Sequence, residues 1–350
     1  MIGIIGAGII GATIAWQLAR KGKQVALLEK QELGQEASWA AAGMLSPGGE
    51  LDEHTDPERV SFFLQSRRQY PSFVKELSSE SGVAIDYREC GAIELAYTEE
   101  EWEALERRAR KLESFGIHSR RITPAELEAL SPHVNTKGLK GALFCPEDGV
   151  VAPRHLLTAL RKACLARGVE LREHSAVEVI EAANQHVEAG GERFSAAVIA
   201  AGAWSSAIQV KGVPTLPAAE PVKGHLLGFD LQLGACPTIV RHKDTYIFQR
   251  GSGLVVAGAS IEHAGFDRAV DPQVSGRLFE QVQQIFPVVG KLNPVDVWTG
   301  LRPKTEVLCL GQWHASRVFL AYGHYRNGIL LAPATADQVV SAITAAVNEE

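Results

Sequence analysis

The first five residues, Met1-Ile2-Gly3-Ile4-Ile5, form an uninterrupted apolar run, the pattern of a strand covered on both faces. Gly6-Ala7-Gly8-Ile9-Ile10-Gly11 follows, then a helical spacing through Ala15, Leu18 and Ala19. Residues 23–30, with Val25, Ala26, Leu27 and Leu28 at their centre, predict a second buried strand, so the chain opens on a βαβ unit. Residues 37–44 are small apart from Trp39 and Met44 and carry neither a helical nor a strand period; short side chains let backbone approach a ligand. A long helix is predicted over 58–81, where Phe62, Phe63, Tyr70, Phe73 and Leu77 share a face.

Further along, 85–97 reads as two strands around Gly91, followed by a charged helix over 100–115. Thr123-Pro124-Ala125-Glu126 opens another helix with a capping box and proline at its first position. A helix over 153–168 closes on glycine, strands follow near 169–174 and 177–181, and Gly190-Gly191 marks a hairpin turn. Residues 196–201 are again a buried-strand run, ending in a tight turn, Gly202-Ala203-Trp204-Ser205. Beyond Pro217 the chain is strand-rich near Leu226, 238–240, 246–249 and 254–259, with a helix over 274–286. It closes with a strand at 318–322, the segment Gly323-His324-Tyr325-Arg326-Asn327-Gly328 and a last apolar stretch, 329–347. That stretch contains Pro333, Asp337 and Gln338 and reads as a packed helix; no apolar run reaches the ~18–20 residues of a bilayer span.

The chain therefore leaves its first sheet and returns to it twice, near Val198 and near Phe319. The expected fold class is α/β: a Rossmann-like nucleotide-binding domain, interleaved in sequence, with a second, sheet-rich α+β domain. Boundaries fall at 1–84, 142–216 and 297–350 for the first and 85–141 and 217–296 for the second. With 350 residues and 46% hydrophobic content, the chain can bury two ordinary cores. A net charge of -6 with both signs interspersed leaves no basic stripe for nucleic acid. Cys90, Cys145, Cys164, Cys236 and Cys309 lie far apart, outside any zinc-type spacing, and are expected as reduced, mostly buried thiols; no metal site is predicted. An apolar strand at residues 1–5 leaves no room for a charged leader, so a cytoplasmic protein is expected.

Gly6, Gly8 and Gly11 follow a strand and open a helix. In that context the first glycine permits the turn, the second clears space for a pyrophosphate and the third lets helix and strand pack closely. Glu29 ends the second strand, placed to accept from ribose hydroxyls. The same glycines would fit an ordinary tight turn, and they do not separate NAD from FAD. Interleaving favours a flavin domain carrying an inserted substrate domain.

Four segments, Gly6 to Gly11 with Glu29, SWAAAGML at 38–45, TGLRP at 299–303 and GHYRNGILLAPAT at 323–335, together resemble the D-amino acid oxidase family of FAD-dependent oxidoreductases. Within that family the likeness is to the glycine oxidases of thiamine biosynthesis. The resemblance implies non-covalent FAD held by Gly6, Gly8, Ile9, Ile10, Gly11, Glu29, Lys30, Ala37, Ser38, Ala42, Gly43, Met44 and Val177. It adds Gly202, Trp204 and Gly300, and backbone from His324, Tyr325, Arg326, Asn327, Gly328, Ile329 and Leu330 closing over the isoalloxazine. It implies Arg302 as the clamp on the substrate carboxylate, Tyr246 as a donor to it and Arg326 as a second arginine at the pocket. Implied partners are a small amino-acid substrate, dioxygen, thiazole synthase and a second copy of the chain.

Those residue types suit the chemistry. A guanidinium matches a carboxylate with two parallel donors and keeps its charge. With the carboxylate fixed, an α-carbon can lie against flavin N5 for hydride transfer, and a deprotonated amine needs no protein base. Arg302 is read in a Gly300-Leu301-Arg302-Pro303 turn after an apolar strand, which favours function over a surface or ion-paired arginine; Tyr246 has plain core or sheet surface as its alternative. Competing readings are a flavin dehydrogenase using a quinone or other carrier, a non-catalytic flavin-binding subunit, and a nicotinamide enzyme. Residues 304–311 depart from the family pattern, leaving the adjacent loop open, and Cys309 is expected as a buried thiol rather than a flavin tether.

Overall fold

A computed structural model describes residues 1–51, 55–183 and 185–348. Its main element is one sheet of thirteen strands whose two halves obey different rules. In the first half five strands run parallel, in the order Glu170–Arg172, Val25–Leu28, Ile2–Ile5, Ala196–Ile199 and Val318–His324. Alternate residues along them face different cores. Ile2, Ile4, Val25, Leu27, Val198 and Phe319 meet the helices Ile9–Arg20, Pro57–Ser81, Pro153–Ala166 and Gly328–Asn348. Ile5, Leu28, Ile199 and Leu320 meet Ile180, Val187 and Phe194 of a separate four-stranded sheet. Cover on both faces is why these strands are continuously apolar in sequence.

The second half is mostly antiparallel: Glu220–Asp230, Leu254–Gly258, Thr245–Gln249 and Ile239–His242, then Ala92–Ala96, Gly141–Cys145 and Arg120–Arg121. One face is closed by the helix Pro272–Ile285, whose Leu278, Val282 and Ile285 pack with Leu227, Phe229 and Ile247. The other face packs Leu226, Phe248, Val256 and Trp298 against Ala40 and Ala42 of the first half. Capping boxes at Thr98/Glu101 and Thr123/Glu126 start the two helices expected in the inserted region.

The strand Asp296–Gln312 joins the halves. Its start pairs antiparallel with Glu220–Asp230 and its end with Val318–His324. Residues 299–303, expected as a turn, lie in the middle of this strand. Gly300 and Pro303 looked like turn residues, but Gly300 is small because Ala40 packs against it, and Pro303 sits opposite Pro221 where neither supplies an N–H. Residues 304–311 are likewise strand and not loop, with a register shift between Lys304 and Cys309. Pairing also carries the second half across the sequence boundaries drawn at 142 and 297, since Gly141–Cys145 pairs with Ala92–Ala96 and the start of the joining strand with Glu220–Asp230.

The final helix contradicts one expectation. Residues Gly328–Val347 are long and apolar enough to cross a membrane by length and composition. Within this fold most of that stretch is buried, and Leu331, Ala336, Val339 and Ile343 pack in the main core against the first helix and the long one. The cysteines are free thiols and all but Cys90 are buried.

The helix Ile9–Arg20 lies so close to its preceding turn that a Cβ at Gly11 would collide with the Gly6 carbonyl oxygen. Gly11→Ala should therefore lower stability by about 1–3 kcal/mol, despite the ~1 kcal/mol gain in helix propensity. Denaturant unfolding of the flavin-loaded protein checks this; an unchanged midpoint would show that the helix tilts away without cost.

Candidate active site

A cavity of about 770 Å³ runs from the carboxyl ends of the parallel strands to the face of the second sheet. That is where open α/β sheets bind ligands. Every residue expected at the cofactor or substrate lines it except Gly11 and Leu330. Gly11 is used up in the contact with Gly6, and Leu330 points into the helical core at 2% exposure.

At the nucleotide end, Gly6 adopts φ +99° against the Ala200 carbonyl, a conformation and a closeness that exclude a side chain. Gly8 has only the Ser38 hydroxyl near its missing Cβ, and that hydroxyl accepts from the Ile9 amide at 2.9 Å. Glu29 is buried and accepts from the amides of Ala7 (2.7 Å) and Gln31 (3.0 Å). Both oxygens keep a lone pair for ribose hydroxyls. Lys30 sits 3.2 Å above the Trp204 ring centre, and burial pulls its ammonium below its ordinary pKa. Val177 closes the cavity on the side of Ser175 and Glu178. A turn where a Cβ would clash, a helix start beyond it and an anchored acid together fit a dinucleotide.

The middle of the cavity is built from backbone. Ala40 accepts from the Trp298 indole at 2.9 Å, Ala41 and Ala42 from Arg250 Nη2 at 3.3 Å each, and Gly43 from the Val151 amide at 2.8 Å. Four consecutive carbonyls are thus fixed from behind, by donors lying mainly on the second half, while Ala37, Ser38 and residues 40–44 line the cavity. Opposite them, Tyr325 takes φ +50° and its amide donates to Pro303 at 2.9 Å, bringing Asn327, Gly328 and Ile329 and the start of the final helix to the wall. His324 also lines it. Its Nε2 lies 2.9 Å from the Thr335 hydroxyl, and burial drops the imidazole to about 3, so it stays neutral. Cys309 lies in the other core with Tyr322 and Val318, outside the cavity lining.

The far end carries the charge. Arg241 is held by Asp148 at 3.0 Å and Glu94 at 3.4 Å, and Arg108 also pairs with Glu94. Arg326 pairs with Glu50 at 3.0 Å and approaches Asp244 at 3.8 Å. Arg302 differs. Among the described residues it has no carboxylate, and its Nη1 donates to two carbonyls, Ser260 at 3.0 Å and Lys223 at 3.5 Å. Desolvation pulls its pKa below the ordinary value, partly opposed by Tyr246. Its guanidinium fills the space left by Gly224, as the Tyr246 hydroxyl fills that left by Gly258. The Tyr246 phenol is pushed up to about 12 by burial and remains a donor. Glu50, Arg108, Arg241, Lys243 and Asp244 were not anticipated from sequence; they come from separate segments, and no spacing pattern ties them to Arg302. Among the described residues no group of three or more His, Cys, Asp or Glu is arranged to hold a metal.

Residues 1–342 match the model of the FAD dependent oxidoreductase (DAO) family. The chain belongs to that family, and FAD is its cofactor. It is 34% identical over 342 residues to a glycine oxidase of Geobacillus kaustophilus, covering 95% of this chain and 90% of that one. The crystal structure of glycine oxidase from Geobacillus kaustophilus superposes with a TM-score of 0.91 at 32% identity, covering 98% and 94% of the two chains. A bifunctional ThiO/ThiG protein of Synechocystis is 30% identical over 95% of this chain, which spans 50% of that protein.

If Trp298 and Arg250 hold the cofactor-facing backbone, Trp298→Phe should loosen FAD without unfolding the protein. Losing one buried hydrogen bond costs about 1–2 kcal/mol, so the FAD dissociation constant should rise roughly 5- to 30-fold. Titration of apoprotein by flavin fluorescence quenching measures it; an unchanged constant would show that the segment holds its shape alone.

Proposed function

We propose that this protein oxidises glycine, and with it sarcosine and small D-amino acids, to the imine, with dioxygen as final acceptor. Hydrolysis of the glycine imine gives glyoxylate and ammonia; overall, glycine, water and dioxygen become glyoxylate, ammonia and hydrogen peroxide. The observation that carries this reading is Arg302, a buried guanidinium facing the cavity with carbonyls but no carboxylate among its described partners. Such a cation is completed by an anionic ligand. The 34% identity to a glycine oxidase supports choosing a small amino acid as that ligand.

FAD, when bound, supplies the hydride acceptor and passes the electrons to dioxygen. The chain's own residues bind and orient. Arg302 takes the substrate carboxylate and Tyr246 donates its hydroxyl proton as a hydrogen bond to the same group, which fixes the α-carbon in the plane of the pocket. Leu226, Ile261 and Met44 line the neighbouring wall and exclude water from the reacting carbon. His324, held neutral, exchanges no proton at working pH. The substrate amine therefore enters deprotonated from solvent or loses its proton to water. Arg326 is occupied by Glu50 and closes the rim. The fused ThiO/ThiG relative supports a further proposal, delivery of the imine to thiazole synthase in the cytoplasm.

Arg302→Ala should cost about 2–5 kcal/mol of substrate binding, roughly 30-fold or more in kcat/KM for glycine, while leaving FAD bound. Tyr246→Phe should cost about 1.5–3 kcal/mol. The direct test is to add glycine to the protein without oxygen and then admit air. Bleaching of the oxidised flavin band and its return with equimolar peroxide supports an amino-acid oxidase. Bleaching without peroxide points to a carrier-linked dehydrogenase, and flavin oxidised under every amine removes catalysis altogether.

A further inference from the structure

Behind Arg302 lies a polar cluster, centred on buried His225, that does not line the cavity. The Ser260 carbonyl that receives the guanidinium belongs to a segment, 259–271, whose larger apolar side chains lie outside the cores: Ile261, 44% exposed, lines the cavity, Phe266, 49% exposed, rests against the Trp204 ring, and Val270 is 42% exposed. Apolar burial contributes little to fixing that segment. Polar ties replace it. The Ser260 hydroxyl donates to Glu262 Oε1 at 2.6 Å and accepts from the His225 amide at 2.7 Å. His225, with no exposed surface, places Nδ1 2.7 Å from the same Glu262 oxygen and receives the Asp271 amide at Nε2, 2.8 Å away. An Nε2 that accepts from an amide leaves the proton on Nδ1, so the imidazole donates to Glu262. The second carbonyl under Arg302, that of Lys223, receives the Glu262 amide at 3.0 Å, and Lys223 in turn is tied to Asp267 at 2.7 Å.

We propose that Glu262 and His225 are positioning residues for Arg302. Both carbonyls that seat the guanidinium are fixed through Glu262, one by its side chain via Ser260 and the other by its main chain. Shortening Glu262 removes the acceptor shared by Ser260 and His225, frees the Ser260 carbonyl and lets the fork of donors swing off the carboxylate axis. The loss falls on carboxylate recognition and not on flavin binding or on the rate at saturation, because neither side chain reaches the cavity wall.

The inference rests on the reading that Arg302 binds a carboxylate, so the test probes that first. Acetate is titrated into the flavin-loaded protein and followed by the shift of the flavin spectrum, in wild type, Arg302→Lys, Glu262→Ala and Glu262→Gln. Misplacement of a clamp by about an ångström costs on the order of tenfold or more. Glu262→Ala should raise the acetate dissociation constant and the KM for glycine about tenfold, with kcat within about twofold and flavin content unchanged; Glu262→Gln, which keeps one acceptor, should recover most of this. If Arg302→Lys weakens acetate and Glu262→Ala does not, the positioning role is wrong and the carboxylate reading stands. If acetate leaves wild type unperturbed, or Arg302→Lys binds it equally well, both fall together. Should Glu262→Ala fail to fold, Ser260→Ala removes the hydroxyl link alone, with about a threefold rise expected, and a flat result there overturns the proposal equally.

Discussion

The two halves of the protein share one strand, Asp296–Gln312, and the site exists because of how that strand is divided. Its end is paired into the parallel sheet next to Val318–His324, and its start into the antiparallel sheet next to Glu220–Asp230. Backbone hydrogen bonds along one continuous strand leave little freedom between the pieces they join. Arg302 lies on the antiparallel stretch, just before the register shift, and Trp298 four residues earlier reaches back to Ala40. A cavity-facing cation and a tie to the backbone of the cavity's middle wall are therefore carried by the same rigid element.

Charge in the cavity follows from that geometry. Arg241, Arg108 and Arg326 are each paired with carboxylates brought in from other segments, so they shape the wall without demanding a ligand. Among the described residues Arg302 is seated on carbonyl dipoles, and those dipoles satisfy donors without neutralising charge. The contrast turns a cavity with several arginines into one with a defined place for an anion.

Much of this was legible in the chain. Buried parallel strands announce themselves by continuous apolar runs, and the glycine turn by its position between strand and helix, so the elements of residues 1–30 read correctly to within two residues at each end. The resemblance carried Arg302, Tyr246 and the flavin wall to the cavity in advance. What failed was local chemistry overridden by tertiary contact. Gly300 and Pro303 looked like a turn because glycine and proline usually punctuate, whereas here one makes room for Ala40 and the other faces a proline across the ladder. Leu330, expected to contribute backbone, turns its side chain into the helical core, one residue along a helix rotating a side chain by about 100 degrees. Glu50, Asp244 and Glu262 had no sequence signal, since the first two meet Arg326, and Glu262 meets His225, only through the folded arrangement of distant segments.

The polar cluster around His225 illustrates a wider constraint on this architecture. The strand face that looks toward the cavity must stay open for ligands, so the segment 259–271 beside it keeps its larger apolar side chains half-exposed, with Phe266 resting against Trp204. A segment in that position either moves or is fastened by hydrogen bonds whose every member is satisfied, because an unsatisfied buried donor costs about 1–3 kcal/mol. Here Ser260, Glu262, His225 and the Asp271 amide close such a set, and Lys223 with Asp267 adds a second tie. The fastening is specific to one conformation in a way that apolar packing is not, and the carbonyl it fixes is the one that aims the guanidinium. On the reading that Arg302 holds a carboxylate, the precision of that hold is inherited from a network that does not line the cavity.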